Sequence, residues 1–362
     1  MSDAREMLVR SATDLLRDLC TPEEVQGAET GGLPGPLWGA LTEVGFPLVG
    51  VREDAGGSGG DVADACALLE VAGRFAAPVP LAETGMLGGW ALAGAGLPLP
   101  SGPVTVAPGR PGDEVTLEGG PGGWHLRCRV TRVPWATDSE TVVLLAHAGK
   151  QVHVVALPRN SFQVQPGRNV AGEPRDTVTA DCDLPDAAVA PAPAGVDERA
   201  LTRRGALSRA ALMSGAMQRV SALAQRYTQE RHQFGRPIAR FQAVQHHLVR
   251  IAEQAAATHT AVTTAALNAA ALPEGTPLDL FDVAAAKIVA GDAATVVTAA
   301  AHQAHGAIGM TREYELAQHT RRLWSWRDEY GTESQWSREI GRVLADGGAG
   351  ALWPRISTGR VA

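Results

Sequence analysis

The spacing of apolar residues changes twice along the chain. In residues 1 to 101, apolar residues recur every three or four positions, as in MLVRSATDLLRDL, PLWGALTEVGF and DVADACALLEVAGRFA, which predicts amphipathic helices. In residues 102 to 198, branched apolar residues alternate with polar ones, as in GWHLRCRVTRV, TVVLLAHAG and KQVHVVALP. Because Gly, Pro and Asp separate these runs, the pattern predicts the strands of an antiparallel barrel or sandwich.

The helical spacing returns at about residue 199 and continues nearly to the end of the chain. Turn residues in FGRP, LPEGTP and HGAIGMT divide this region into four long stretches, at about 199–232, 238–272, 278–304 and 313–346. Four long helices with short connections form an antiparallel bundle. The predicted fold is therefore α+β and mostly α. It comprises an N-terminal helical domain (1–101), a middle antiparallel β-barrel domain (102–198) and a C-terminal four-helix bundle (199–362).

Composition and charge narrow the class of protein. Of the 362 residues, 45% are hydrophobic and 20% are charged, which is typical of a globular chain. The net charge of −7 disfavours nucleic acid as the main partner, but a local basic patch can still bind a phosphorylated cofactor. Four separated cysteines without a CxxC pair disfavour a zinc site and indicate a reducing compartment. With no signal-peptide pattern and no run of about 18 apolar residues, we expect a cytoplasmic protein.

Three segments and their order resemble the acyl-CoA dehydrogenase family. LWGALTEVGFPLVGVREDAGGSGG is similar to the family's N-terminal pattern, and RHQFGRPIARFQAVQ to the turn after its first bundle helix. QAHGAIGMTREYELAQHTRRLW is similar to its glutamine-glycine loop and the following helix. Each segment alone is better explained as a helix turn or a flexible loop. Together, and in this order, they indicate a flavoprotein that binds FAD and acts on acyl-CoA thioesters.

The resemblance implies which residues bind the cofactor. Arg231 matches the arginine that contacts the pyrophosphate of FAD, where a planar guanidinium suits phosphate oxygens. Phe234 would pack against the cofactor, and Gly306 would let the backbone approach its adenine end. The complete set of cofactor-binding candidates is Arg231, Phe234, Gln242, Gln303, Gly306 and Thr332. In this family the cofactor lies between two subunits, so the resemblance also implies an oligomer.

The residues expected to act as the catalytic base are missing. The family removes a proton from the carbon alpha to the thioester, usually with a Glu in a Tyr-Glu-Gly-Thr segment, and counting from Gln303 places Tyr330 there. A tyrosine, with a pKa of about 10, is a poor base at neutral pH. Glu329 is a weak candidate, because a shift of one residue turns a helical side chain by about 100°. Other family members keep the base on the first bundle helix, where this chain has Gly205.

Other parts of the family's active site are also altered. The arginine that family members often use for the acyl-CoA falls at Ala206, and the nearby Arg203, Arg204 and Arg209 are better explained as solvated helix surface. In the β domain, VTVAPGRPGDE replaces the family's Thr-Glu-Pro…Gly-Ser-Asp segment. The Trp-x-Thr stretch beside the flavin has no counterpart. Trp135 lies near that place at a different spacing, and a surface or barrel-edge role explains it equally well.

The losses all fall on one side of the cofactor. A subunit that lends its bundle to a partner's FAD needs the cofactor-binding candidates but no base of its own. The chain therefore resembles the partner chains of hetero-oligomeric acyl-CoA dehydrogenases, including those that act on steroid side chains in actinobacteria. We expect FAD as cofactor, an acyl-CoA substrate in the complex, and a homo- or hetero-oligomer with a paralogous subunit. We expect neither a nucleic-acid partner nor a membrane span.

Three alternatives are compatible with the same residues. A stand-alone dehydrogenase would use Glu329 or another acid as its base and would be a yellow homo-oligomer. A flavin monooxygenase of the same fold can dispense with the carboxylate base. A structural or regulatory protein would have kept the fold without the cofactor, which the intact HQFG and QAHGAIG segments disfavour.

Overall fold

A computed structural model describes residues 3–120, 122–273, 275–312, 314–348, 350 and 352–354. Its elements follow the predicted order of a helical region, a β region and a second helical region. One hydrophobic core joins the two helical regions, and a second core lies inside the β region. Among the described residues, no helix is long and apolar enough to cross a membrane.

The N-terminal region is helical, as predicted, but contains more helices than the spacing indicated. Its elements are α1 (Asp3–Leu19), α2 (Pro22–Gly31), α3 (Gly35–Glu43), α4 (Val62–Arg74), a π-helix (Ala82–Gly89) and α5 (Trp90–Gly94). The three periodic segments became α1, α3 and α4. Every residue of the π-helix is buried. A helix buried on all sides has no polar face, so its sequence shows no helical period.

The middle region is a sandwich of two four-stranded sheets and not one closed barrel. Its strands are β1 (Val104–Val106), β2 (Glu114–Gly120), β3 (Gly123–Pro134), β4 (Thr141–Ala148), β5 (Gln151–Pro158), β6 (Gln163–Gln165), β7 (Arg175–Leu184) and β8 (Val189–Pro191). One sheet has the order β1-β4-β5-β8 and the other β2-β3-β7-β6. The edge strands β1, β6 and β8 have only three residues each, too few to close a barrel with a continuous ladder. The β1–β4 pair is parallel.

The C-terminal region is a bundle whose fourth predicted helix is broken in two. Its helices are α6 (Glu198–Glu230), α7 (Gln242–Ala270), α8 (Leu280–His305), α9 (Leu316–Arg327) and α10 (Glu333–Gly347). The continuous helix expected at 313–346 is wrong, because Tyr330 and Gly331 have φ angles of 54° and 101°. Left-handed residues cannot continue a right-handed helix. The break directs the side chain of Tyr330 into the protein, where it is buried.

Two glycines let the N-terminal region pack directly on the bundle. A side chain on Gly215 of α6 would collide with the carbonyl oxygen of Glu70 on α4, and one on Gly73 would collide with the carbonyl of Leu212. Because only glycine permits such close approach of two helix backbones, α4 packs directly on α6. This contact joins the N-terminal helices to the helix that carries Gly205.

Candidate functional site

The cofactor-binding candidates on α6 and α8 meet at one end of the bundle. Helices α6 and α8 run in the same direction, because antiparallel α7 connects them. Their C-terminal ends are in contact, since the rings of Tyr227 and His305 stack with centroids 4.7 Å apart. The turn with Arg231 follows the end of α6, and the loop with Gly306 follows the end of α8. The two motifs, far apart in sequence, therefore lie at the same end.

The turn after α6 is a tight hairpin that projects an aromatic ring. Two-residue strands pair His232 with Pro237 and Gln233 with Arg236. Phe234 and Gly235 form the turn with φ angles of 51° and 78°, the left-handed geometry of a two-residue hairpin loop. The side chain of Phe234 is 90% exposed. A large aromatic side chain so exposed in the isolated chain is typical of a surface that another molecule covers.

The other residues at this end are also accessible. Arg231, Gln242, Gln303 and Gly306 are all exposed. Arg231 forms no salt bridge with a described residue, so its guanidinium is available for an anion. The arginine and the amide side chains offer hydrogen-bond donors, and the aromatic ring offers apolar surface. Together these groups fit the ADP half of FAD.

Thr332 does not join these residues. It is the N-cap of α10, and its hydroxyl accepts a hydrogen bond from the backbone N–H of Gln335. The neighbouring carbonyl of Gly331 accepts a hydrogen bond of 2.9 Å from Lys287 Nζ, in the first half of α8. Gln303 lies sixteen residues further along α8, about 24 Å at the helical rise. Thr332 is therefore close to the expected base position and far from the end with Arg231.

The two positions at which the family places its base coincide in space. A Cβ atom on Gly205 would lie within 2.5 Å of the ring carbons Cδ1, Cγ and Cε1 of Tyr330. The Tyr330 ring therefore rests on the backbone of Gly205 and fills both positions. Its hydroxyl is buried and has no hydrogen-bond partner among the described residues. Burial raises the pKa of this hydroxyl well above its ordinary value, so the group does not act as a base.

Glu329 is held between two buried arginines. Arg175 Nε donates to Glu329 Oε1 at 2.7 Å, and Arg209 Nε donates to Glu329 Oε2 at 2.6 Å. Burial by itself raises the pKa of Glu329, but the two guanidinium groups outweigh it and lower the pKa to about 2. A carboxylate with so low a pKa is a weak base. The two ion pairs therefore disfavour Glu329 as a catalytic base.

The two pairs belong to a larger buried network that sequence reasoning missed. Arg209 also donates to Glu83 of the π-helix. Arg175 Nη2 donates to Glu173 at 3.1 Å, and Arg322 Nε lies 3.3 Å from the other oxygen of Glu173. Three carboxylates thus alternate with three guanidinium groups across the helical region, the sandwich and the bundle. Pairing of opposite charges, with hydrogen bonds between most of them, is what permits charges in a protein interior.

The expectation that Arg209 lies on a solvated surface is wrong. Its side chain is 1% exposed, because α6 is covered on that side by the π-helix and the segment between α9 and α10. The partners Glu83 and Glu329 are more than a hundred residues away in sequence, so no local pattern could reveal them. The sequence gives one weak indication of a buried role for Glu83, which is the single charged residue in the stretch LAETGMLGGW. Trp135 is buried as well, and its surface role is excluded.

Little space remains where the sandwich faces Tyr330. A cavity of about 20 Å³ lies there, lined by Pro108, Arg110, Arg132, Pro134, Arg175, Glu329 and Tyr330. Ligand pockets for cofactors and drug-sized molecules usually measure about 300–1,000 Å³. The side chains that line this cavity therefore leave too little space between them for a ligand of that size.

Comparison with known proteins agrees with the sequence motifs. The sequence-family model of the acyl-CoA dehydrogenase N-terminal domain matches residues 2–98, and the family model of the C-terminal domain matches residues 199–343. Acyl-CoA dehydrogenase IpdE2 of Mycolicibacterium smegmatis is 29% identical over 333 residues, which cover 87% of this chain and 91% of that protein.

Solved structures share the fold. The ChsE4-ChsE5 complex from Mycobacterium tuberculosis superposes with a TM-score of 0.87 at 24% identity, covering 96% of this chain and 99% of the other. A variant of the Tcur3481-Tcur3483 steroid ACAD superposes with a TM-score of 0.81 at 24% identity, covering 95% and 98%.

Proposed function

The chain belongs to the acyl-CoA dehydrogenase family, and from this premise we propose that it completes a FAD site shared with a paralogous catalytic subunit. The family consists of FAD-dependent oxidoreductases that act on CH–CH bonds. FAD, when bound, supplies the acceptor for the hydride that leaves the β carbon of the thioester. In the proposed subunit, the residues of this chain hold the ADP half of the cofactor and leave proton abstraction to the partner.

The observation that carries this proposal is the contrast between the two ends of the bundle. At one end Arg231 and Phe234 are exposed. At the other, Tyr330 rests on Gly205, and Glu329 is neutralised by two arginines. A subunit that binds cofactor for its partner keeps the first end accessible and has no need for a base at the second.

The electrostatics of the exposed end explain why an arginine is needed there. The C-terminal ends of α6 and α8 carry partial negative charge, which repels phosphate. The permanently charged guanidinium of Arg231 offsets that repulsion and can bind two phosphate oxygens at once. In this arrangement Phe234 covers the apolar part of the nucleotide, and Gln242 and Gln303 donate or accept hydrogen bonds.

The substrate and the partner follow by similarity. The two solved relatives described above are complexes of two chains by their names, and one is described as a steroid ACAD. These similarities support a paralogous partner and, as the substrate class, a steroid acyl-CoA thioester. The low pKa of Glu329 disfavours the stand-alone dehydrogenase that would use it as the base.

The test is the flavin content of a co-purified complex with a paralogue that has Glu at the base position. We expect Arg231→Ala to lower the affinity for FAD by about tenfold or more, because a charge-assisted bidentate contact is removed. Arg240→Ala, in the same turn and equally exposed, is the matched control and should retain the flavin. Equal flavin content in both variants would contradict the assigned role of Arg231.

A further inference from the structure

A large cleft lies beside the first turns of α6. Its volume is about 590 Å³, within the range of small-molecule sites. It is formed by α5, the first turns of α6, the linker at 193–196, the α7–α8 connection and the loops at 50–52 and 60–62. It shares no lining residue with the small cavity at Tyr330. The two are therefore separate sites.

Most of the wall of this cleft is apolar or built from small residues. Trp90 and Ala93 of α5 face Leu272, Pro273 and Leu278 of the α7–α8 connection. Such a wall suits a ligand with an apolar body, since it offers van der Waals contact and few hydrogen bonds. Its volume also greatly exceeds what a single inorganic ion needs.

One positive charge in the wall has no counter-ion among the residues that the structure describes. Arg204 lies on the cleft, with its guanidinium carbon 4.3 Å from the centre of the Trp90 ring. Its Nη1 is 3.5 Å from the carbonyl oxygen of Met86, the limit of a hydrogen bond. Among the described residues no carboxylate pairs with it. Arg209, five residues further along the same helix, pairs with two.

The other described charged residues that line the cleft, Arg52 and Asp61, have charged partners. Arg5 Nη2 contacts Asp61 at 3.0 Å, and Arg52 Nε lies 3.3 Å from Asp54. Burial lowers the pKa of Arg204 to about 10, so the group still carries its charge at neutral pH. A buried charge without a partner is unfavourable, and a cleft with room for a ligand offers a way to neutralise it.

We propose that this cleft binds an amphipathic organic anion, whose carboxylate or phosphate group pairs with Arg204 and whose apolar body packs on Trp90 and the opposite wall. The cation–π contact holds the guanidinium plane beside the ring and leaves its remaining N–H groups for the anion. The site is independent of the shared FAD site, because its residues belong to neither the Arg231 end nor the Tyr330 region. Its failure would leave the proposed function untouched.

The test is calorimetric titration of the full-length chain with octanoate, octyl phosphate, octan-1-ol and coenzyme A. We expect octanoate or octyl phosphate to saturate one site, and octan-1-ol to bind more weakly because it lacks the charge. The stronger of the two anions identifies the head group. Binding of coenzyme A without binding of either octyl anion would overturn the proposal, since the site would then recognise a nucleotide and not an amphiphile.

Variants connect the binding to Arg204. Arg204→Gln should lower the affinity for the octyl anion by about tenfold or more and leave the affinity for octan-1-ol unchanged. Arg204→Lys should restore part of the affinity for the anion. Arg199→Gln removes an exposed charge from the same helix and should have no effect. Unchanged anion affinity in Arg204→Gln, or no saturable anion binding at millimolar concentration, would overturn the proposal.

Thermal unfolding separates binding from a structural role. Arg204→Met keeps the packing on Trp90 and removes the unpaired charge, so its Tm without ligand should equal or exceed that of the wild type. The octyl anion should raise the Tm of the wild type only. If Arg204 only held Met86 and Trp90 in place, the variant would have a lower Tm than the wild type. The anion would then change the Tm of both chains equally.

Discussion

The ring of Tyr330 lies against the backbone of Gly205, so closely that a Cβ atom on the glycine would fall within 2.5 Å of three ring carbons. In the acyl-CoA dehydrogenase family these are the two places from which a base can act. One aromatic side chain occupies both of them here. The Tyr330 ring therefore fits in this position only because residue 205 is a glycine.

The first prediction concerns that contact. Gly205→Ala should destabilise the chain by about 1–3 kcal/mol, because the added methyl group overpacks the core against the Tyr330 ring. The matched control is Gly341→Ala in α10, where a Cβ meets nothing within 4 Å and alanine favours the helix. Urea denaturation of both variants checks this. A Gly205→Ala variant as stable as Gly341→Ala would mean that the Tyr330 ring does not lie against residue 205.

The second prediction concerns an acid placed at the family's usual base position. Tyr330→Glu should not create a dehydrogenase in the isolated chain, since the new carboxylate would be buried among Arg209, Glu83 and Glu329, beside a cavity of only about 20 Å³. We expect it to destabilise the fold by about 3 kcal/mol or more and to leave added FAD oxidised in the presence of acyl-CoA.

Tyr330→Phe is the control for that experiment. It removes a buried hydroxyl that forms no hydrogen bond with any described residue. We expect the free energy of unfolding to change by less than about 1 kcal/mol, and any change to be a stabilisation. Bleaching of the flavin by acyl-CoA in the isolated Tyr330→Glu chain would contradict this prediction, because it would show that substrate and flavin can reach position 330.

The third prediction concerns the buried charge network. Glu329→Gln should lower the free energy of unfolding by about 3–5 kcal/mol, because Arg175 and Arg209 would then face each other without the carboxylate between them. Glu253→Gln on the exposed face of α7 is the control and should change stability by less than about 0.5 kcal/mol. Similar small effects in both variants would show that the network contributes nothing to the fold.

The fourth prediction is the pH dependence of the same carboxylate. In the fold the pKa of Glu329 is lowered from its ordinary 4.5 to about 2. Because the folded-state pKa lies below the unfolded one, its contribution to stability is present above about pH 4.5 and is lost as the pH falls toward 2. A depression of this size corresponds to about 3 kcal/mol.

Denaturation of the wild type and Glu329→Gln at several pH values measures this contribution. The difference between their free energies of unfolding should shrink as the pH falls through that window, whereas the difference between the wild type and Glu253→Gln should not. A difference that stays constant with pH would mean that Glu329 is not held as a carboxylate by the two arginines.

The sequence predicts those features of the fold that depend on residues close together in the chain. The hairpin at Phe234 and Gly235 is specified by adjacent residues, and its role in separating α6 from α7 was predicted correctly. The order of helical and β regions follows from periodicity, which is also a local property. The π-helix gave no such signal, because it is buried on all sides.

The parts that could not be predicted depend on contacts between distant residues. The break at Tyr330 interrupts a stretch with good helical spacing, and its cause is the fit of that ring on Gly205. The burial of Arg209 depends on Glu83 and Glu329, which belong to other regions of the chain. A single sequence does not reveal which distant charges meet, so Arg209 was assigned to the surface.

The most direct test of the shared-site proposal is the absorbance spectrum of the purified chain between about 300 and 550 nm, where bound flavin absorbs, alone and after co-expression with a paralogue that has the catalytic Glu. We predict a colourless chain alone and a yellow complex whose flavin content falls in Arg231→Ala and stays in Arg240→Ala. Flavin bound near one per chain in the isolated protein would contradict the proposal.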